Sequence, residues 1–147
     1  MSSHIRQTDP FRWEGIPVSA YKPGGTHFAK ITRQLLFDGG ERLGCQLRYF
    51  EIQPQGYSSL ERHQHEHAIM VIRGGGRALV GDRIVDLATN DLVRVPPLTW
   101  HQFRATETES LGFLCMVDCA RDVPERPDET VLARLLADPA VAEFVRL

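Results

Sequence analysis

The sequence predicts an all-β fold, a closed barrel or jelly roll followed by short helices at the C-terminus. Three observations carry this. About eight short segments rich in aromatic and β-branched residues recur at even spacing between residues 29 and 118. Glycine, proline and Asn/Asp turn signals separate them. Only the last 20 or so residues change to a helical apolar spacing.

In order along the chain, residues 1–30 read as irregular, because Pro10, Pro17, Pro23 and the pair Gly24-Gly25 interrupt any long element. Trp13, Ile16, Val18, Tyr21 and Phe28 could lay this arm across the domain or a partner subunit. The first strand runs from Ala29 to Phe37 and ends at Asp38-Gly39-Gly40. The second, CQLRYFEI over 45–52, is expected to stop before Pro54 and Gly56. AIMVI at 68–72 leads to Gly74-Gly75-Gly76 and then RALVG, punctuation that predicts a hairpin. RIVDL follows Gly81-Asp82, LVRVP runs to Pro96-Pro97, WHQFRA comes next, and SLGFLCMVD closes the series. Asp128 or Thr130 can then cap a helix with Val131, Leu132, Leu135 and Leu136 on one face. Asp138 followed by Pro139 predicts a second helix start, with Val141, Phe144 and Val145 as its apolar stripe. Such helices plug a barrel end or pack on a neighbouring subunit.

Composition narrows the classes. The chain has 147 residues, 42% of them hydrophobic and 24% charged, as expected for one domain with its own core. We divide that domain, 1–147, into an arm and first strands (1–40), a barrel core (41–120) and C-terminal helices (121–147). The net charge of −2, with scattered Lys and Arg, offers no basic stripe for nucleic acid. No apolar run approaches the roughly 20 residues of a membrane span, and MSSHIRQTDP lacks the apolar centre of a signal peptide. Three cysteines without a CxxC argue for a reducing compartment, so a cytoplasmic protein is expected.

The chemistry concentrates at GYSSLERHQHEHAIMVIRG, residues 56–74. Alternate residues of an extended chain face one side, so Glu61 and His63 can point into one cavity. A turn would bring His67 in from the next strand, and His101 is the best further donor. Imidazoles with one carboxylate and no thiolate suit Mn, Fe, Ni or Zn. A six-coordinate ion fits this set better than Zn(II), which prefers fewer ligands. His65 is the alternative ligand or a turn residue.

These residues resemble the two motifs of the cupin superfamily, whose fold is a double-stranded β-helix or jelly-roll barrel. The first motif is H-x-H, a Glu three or four residues on, then six residues and a Gly. Counting back from Gly74 puts His67 in the Glu slot, His63 in the second His slot and Glu61 in the first, so the Glu and His slots are exchanged. The second motif, G-x5-P-x-G-x2-H-x3-N, aligns with Asn90, Pro96, Leu98, His101 and Ala105. Only Pro96 and His101 keep the family residue. The resemblance implies Glu61, His63, His67 and His101 as metal ligands.

Longer strings, GTHF (25–28), LRYFEI (47–52), SSLERHQHEHAIM (58–70), TWHQFRA (99–105) and LGFLCMV (111–117), are similar to a narrower bacterial group, the 1-methylthioxylulose 5-phosphate methylsulfurylases. That resemblance implies a Mn(II) enzyme, with Fe(II), Ni(II) or Zn(II) as alternatives, that removes a methylthio group from a ketose phosphate. It places the catalytic cysteine at Cys115. A second thiol must then free that cysteine. Cys119, four residues along the strand at about 13 Å, is beyond disulfide reach, so glutathione from solution is the expected co-substrate. Three readings stand at this point. One is this thiol-assisted enzyme. Another is a Mn/Fe dioxygenase or sugar isomerase in which Cys115 only packs. The last is a non-catalytic metal-dependent binding protein. The partners expected are a small-molecule substrate and a second copy of the chain in a homodimer, with no nucleic acid and no membrane.

Overall fold

The structure is a computed structural model and describes residues 3–147. Eight strands follow the predicted segments: β4 (Ala29–Phe37), β5 (Cys45–Tyr57), β6 (His67–Gly74), β7 (Gly76–Val80), β8 (Arg83–Leu87), β9 (Leu92–Val95), β10 (His101–Ala105) and β11 (Leu111–Asp118). Three shorter ones precede them, β1 (Gln7–Asp9), β2 (Arg12–Trp13) and β3 (Ser19–Ala20), so the arm expected to be irregular carries short pairings. The long strands form one curled antiparallel sheet in the order β8-β7-β10-β5-β11-β6-β9, with β4 added on β5 and β3 on β4. Helices α1 (Glu129–Leu135) and α2 (Pro139–Phe144) follow.

Two strand expectations are corrected. β5 does not stop before Pro54 and Gly56 but runs through both to Tyr57. Its first part pairs with β11 from Ile52 down to Cys45, while Tyr57 pairs with β10. The kink between them has Gln55 at φ 69°, and a Cβ on Gly56 would come within 2.7 Å of the Ala29 carbonyl. Proline and glycine here bend one strand between two parts of the barrel. The hairpin predicted across Gly74-Gly75-Gly76 is also absent. β6 pairs with β11 and β9, whereas β7 pairs with β10 and β8. The glycines form a corner that passes the chain from one part of the sheet to another. A Cβ on Gly76 would lie 2.2 Å from the Arg104 carbonyl of β10. The actual hairpin joins β7 to β8 across Gly81, at φ 68°, and Asp82.

The register sets which side chains enter the barrel. On β11 the alternate residues Leu111, Phe113, Cys115 and Val117 are all buried, the period of a half-buried strand. They meet Phe50 and Ile52 of β5 and Ile69 and Val71 of β6 in one apolar cluster. On the outside, the arm lies on its own barrel: Phe11 stacks on Tyr49 at 5.6 Å and Trp13 meets it edge-on at 5.4 Å. The helices cover another outer face, where Val141, Phe144 and Val145 pack with Leu60 and Leu79. Asp128 and Asp138 are the N-caps, accepting from the backbone N–H groups of Val131 and Ala140, both at 2.8 Å, with Pro139 opening the second helix.

Candidate metal centre

His67 opens β6, His101 opens β10, and His63 sits in the loop after β5. Glu61 and His101 form an isolated antiparallel bridge, exchanging backbone hydrogen bonds of 3.2 and 3.0 Å. This bridge draws the histidine loop against β10. One ligand atom from each of His63, His67 and His101 lies within 4.8 Å of the others. The tautomers of His63 and His101 follow from their partners. His63 directs Nδ1 at the His65 carbonyl (2.7 Å) and His101 directs Nδ1 at the Thr99 carbonyl (2.8 Å). A carbonyl only accepts, so both Nδ1 atoms carry the proton and both Nε2 lone pairs face the cavity. His67 Nε2 lies 2.9 Å from His63 Nε2, a separation that only a shared proton or a shared cation makes favourable.

Burial keeps these rings neutral. Desolvation first, then the neighbouring His101 and His65, push His63 down to about 4. Desolvation likewise moves His67 and His101 downward. Three neutral imidazoles with convergent lone pairs fit a divalent cation. The carboxylate of Glu61 is buried in the same pocket and is paired with Lys22. His65 stands outside the convergent set. Its ring stacks on His63 at 3.6 Å with a 2° interplanar angle, and its Nδ1 is 2.7 Å from Asp122. Asp122 also accepts the backbone N–H groups of Gln64 (2.7 Å) and His65 (3.1 Å), which hold its carboxyl well below the usual range. The aspartate therefore fixes the loop and the stacked ring behind His63.

Cys115 enters the same pocket, with its Sγ 3.0 Å from His67 Nδ1 and 3.7 Å from an Arg48 Nη. Burial pushes the thiol up, and Arg48 opposes that shift. The pocket is about 250 Å³ and also receives Tyr21, Lys22, Arg33 and Arg121, small even for a ligand site. Cys119 is exposed on the outside near the Asp38 carbonyl, and Cys45 is half-buried. Arg48 lines the pocket, while Trp100 lies under Arg62 at 4.8 Å and Tyr57 is half-buried on β5.

Sequence reasoning missed Lys22, Asp122, Arg33 and Arg121. No local pattern marks the first two, which come from segments far from the histidine motif. Arg48 and Arg33 carried a signal. Arg48 shares the inward phase of Phe50 and Ile52, and a cation on an apolar strand face needs a reason.

A curled antiparallel sheet with three convergent histidines defines a cupin-type barrel with a site that could hold a metal ion. The cupin domain family matches residues 48–117, and the chain belongs to that family. A relative from Rhodospirillum rubrum named 1-methylthio-D-xylulose 5-phosphate methylsulfurylase is 51% identical over 136 residues, covering 92% of this chain and 86% of that protein. A crystal structure of a cupin 2 conserved barrel domain protein from Rhodopseudomonas palustris superposes with a TM-score of 0.93 at 49% identity, covering 99% of this chain and all of the other. A cupin-2 domain structure from Rhodospirillum rubrum gives 0.86 at 48% identity, over 97% and 95% of the two chains.

Proposed function

We propose that this chain is a divalent-metal enzyme that removes the methylthio group from 1-methylthio-D-xylulose 5-phosphate with the help of a thiol. The observation that carries the reading is the placement of Cys115, the one cysteine lining the pocket, at 3.0 Å from a histidine of the convergent set. The activity named for the 51% identical relative supports the substrate. His63, His67 and His101 would hold the ion, with Glu61 as a fourth ligand once Lys22 releases it. Nitrogen and carboxylate donors favour Mn(II), with Fe(II), Ni(II) and Zn(II) as alternatives. The ion supplies Lewis-acid polarisation of the substrate ketone.

The residues supply the rest. The Cys115 thiolate attacks the methylthio sulfur, a new S–S bond forms, and the bond from that sulfur to C1 breaks with its electron pair staying on carbon as an enolate. A proton added at C1 gives the deoxy ketose phosphate, and Cys115 is left as a methyl disulfide. The pocket presents no second cysteine, so glutathione from solution resolves it. Two glutathione thiols supply the two electrons, leaving as the disulfide, and the methylthio group departs as methanethiol. Arg48 and His67 both place a polar hydrogen-bonding group at the sulfur, which favours its charged form against burial.

The chain would act in the cytoplasm, where thiols stay reduced, and as a homodimer. Support for the dimer is a band of apolar side chains on the outer face, with Leu92 (78% exposed), Met116 (47%) and Met70 (38%) in adjacent strands.

Cys115→Ser tests the chemistry. It should keep metal and fold, at a stability cost of about 1–2 kcal/mol, and release no methanethiol. Substrate without added thiol should leave one methylthio adduct on Cys115 by intact mass, cleared by glutathione. Turnover by Cys115→Ser would end the thiol mechanism. Oxygen uptake without an adduct would favour a dioxygenase, and binding without product a sensor.

A further inference from the structure

We propose that Arg33, Arg48 and Arg121 form an anion subsite that takes the phosphate of the substrate. The inference rests on the ketose-phosphate reading and assigns its charged end. The three guanidinium groups line the same pocket as the histidines. Arg48 is the buried member at 9% exposure. Its Nε has no hydrogen-bond partner, and one Nη reaches only the sulfur of Cys115 at 3.7 Å. A buried guanidinium lacking a carboxylate is expensive unless an anion completes it.

Register and neighbours bring the other two alongside. Arg33 of β4 lies opposite Phe50 of β5, and Arg48 is two residues from Phe50 on the same inward face. Arg121, just beyond β11, is held by bonds from one Nη to Gln46 Oε1 (2.8 Å) and the Asp118 carbonyl (2.6 Å). Burial and the repulsion of Arg48 and Arg33 lower its proton affinity. Among the described residues, none of the three makes an ion pair with a carboxylate, while the other charges of the pocket do. Lys22 is matched by Glu61 and Asp122 by His65. The pocket therefore carries three arginines without a carboxylate partner, the arrangement that recognises a dianionic phosphate through forked N–H groups. Arg48 also rests on the Phe50 ring at 4.9 Å, which fixes its plane without neutralising it.

The test is calorimetric binding to the metal-loaded protein of D-xylulose 5-phosphate, the phosphoketose without its methylthio group, and of D-xylulose. Wild type should bind the phosphorylated sugar far more tightly. Arg33→Gln and Arg121→Gln should each weaken that binding by about tenfold or more. Xylulose binding and metal content should not change, and Arg33→Lys should recover part of the loss. Equal phosphoketose binding by wild type and both variants overturns the subsite, as does a parallel loss for both sugars, which would report packing. Methanethiol release separates the two ideas. Wild-type turnover with unchanged KM in both variants removes the subsite and leaves the proposed reaction standing. Arginine-dependent phosphoketose binding without methanethiol release keeps the subsite and removes the reaction.

Discussion

A histidine whose Nδ1–H is given to a carbonyl has one donor left for a metal, and this decides what each substitution should do. His63 and His101 are fixed in that way, and His67 points Nε2 at the same space. Replacing any of the three by alanine should remove most of the bound divalent ion, measured by plasma emission on purified protein. His65→Ala should keep it, because Asp122 already occupies the one ring nitrogen assigned a partner. Loss of metal from His65→Ala, with His63→Ala or His67→Ala still loaded, would overturn the ligand assignment. The same burial gives a pH dependence. His63 titrates near 4 when folded and about 6.5 when unfolded, so between these values the unfolded chain binds the extra proton. The metal-free protein should lose stability as pH falls from about 6.5 to 4, and His63→Gln should flatten that slope in urea titrations. A third residue-scale prediction concerns Leu98, which fills a glycine slot of the second motif yet keeps φ at 55°. Its side chain is 45% exposed, so Leu98→Gly should relieve left-handed strain and raise stability by about 1 kcal/mol.

At the scale of elements, legibility followed how local the cause is. All eight long strands stood out because period-2 burial and turn residues are written side by side, as on β11, where four alternate residues are buried. The gathering of His63, His67 and His101 was readable for the same reason, since motif spacing encodes it. Asn90 stands at the other glycine slot with φ 79°, so the turn geometry survives a departure from the motif residue. Pro54 and Gly56 misled because punctuation marks a bend as readily as an end, and only the partners on β10 and β11 distinguish them. The triple glycine misled because close approach to Arg104 and Ser110 backbone, rather than a hairpin, explains it. Lys22, Asp122 and Arg121 reach the pocket through the tertiary fold, for which the local sequence has no sign. The caps were plain in sequence, and they supply a check: Asp138→Ala removes the acceptor for two backbone N–H groups and should cost about 1 kcal/mol in urea unfolding while leaving metal content unchanged.

At the scale of the whole molecule, the barrel covers some of its outer surface and leaves some bare. The arm lies over Tyr49 on its own chain, and the helices cover the side of Leu60 and Leu79. Among the described residues, the part of the outer face around Met70, Leu92 and Met116 has neither cover. There Leu114 pairs with Met70 and Met70 with Leu92, while Met116 pairs with Leu47, itself beside Phe37 (51% exposed). An apolar band across five neighbouring strands is larger than scattered surface hydrophobes account for, and a two-fold axis would set the same band against itself. Sedimentation at micromolar concentration should therefore find a dimer. Met70→Glu and Leu92→Glu place a carboxylate on the band's symmetry-related contacts and should shift the protein to monomer. Both point away from the pocket, so metal content should persist. A wild-type monomer at micromolar concentration would end the dimer, and a dimer unmoved by either glutamate would place the contact elsewhere on the surface.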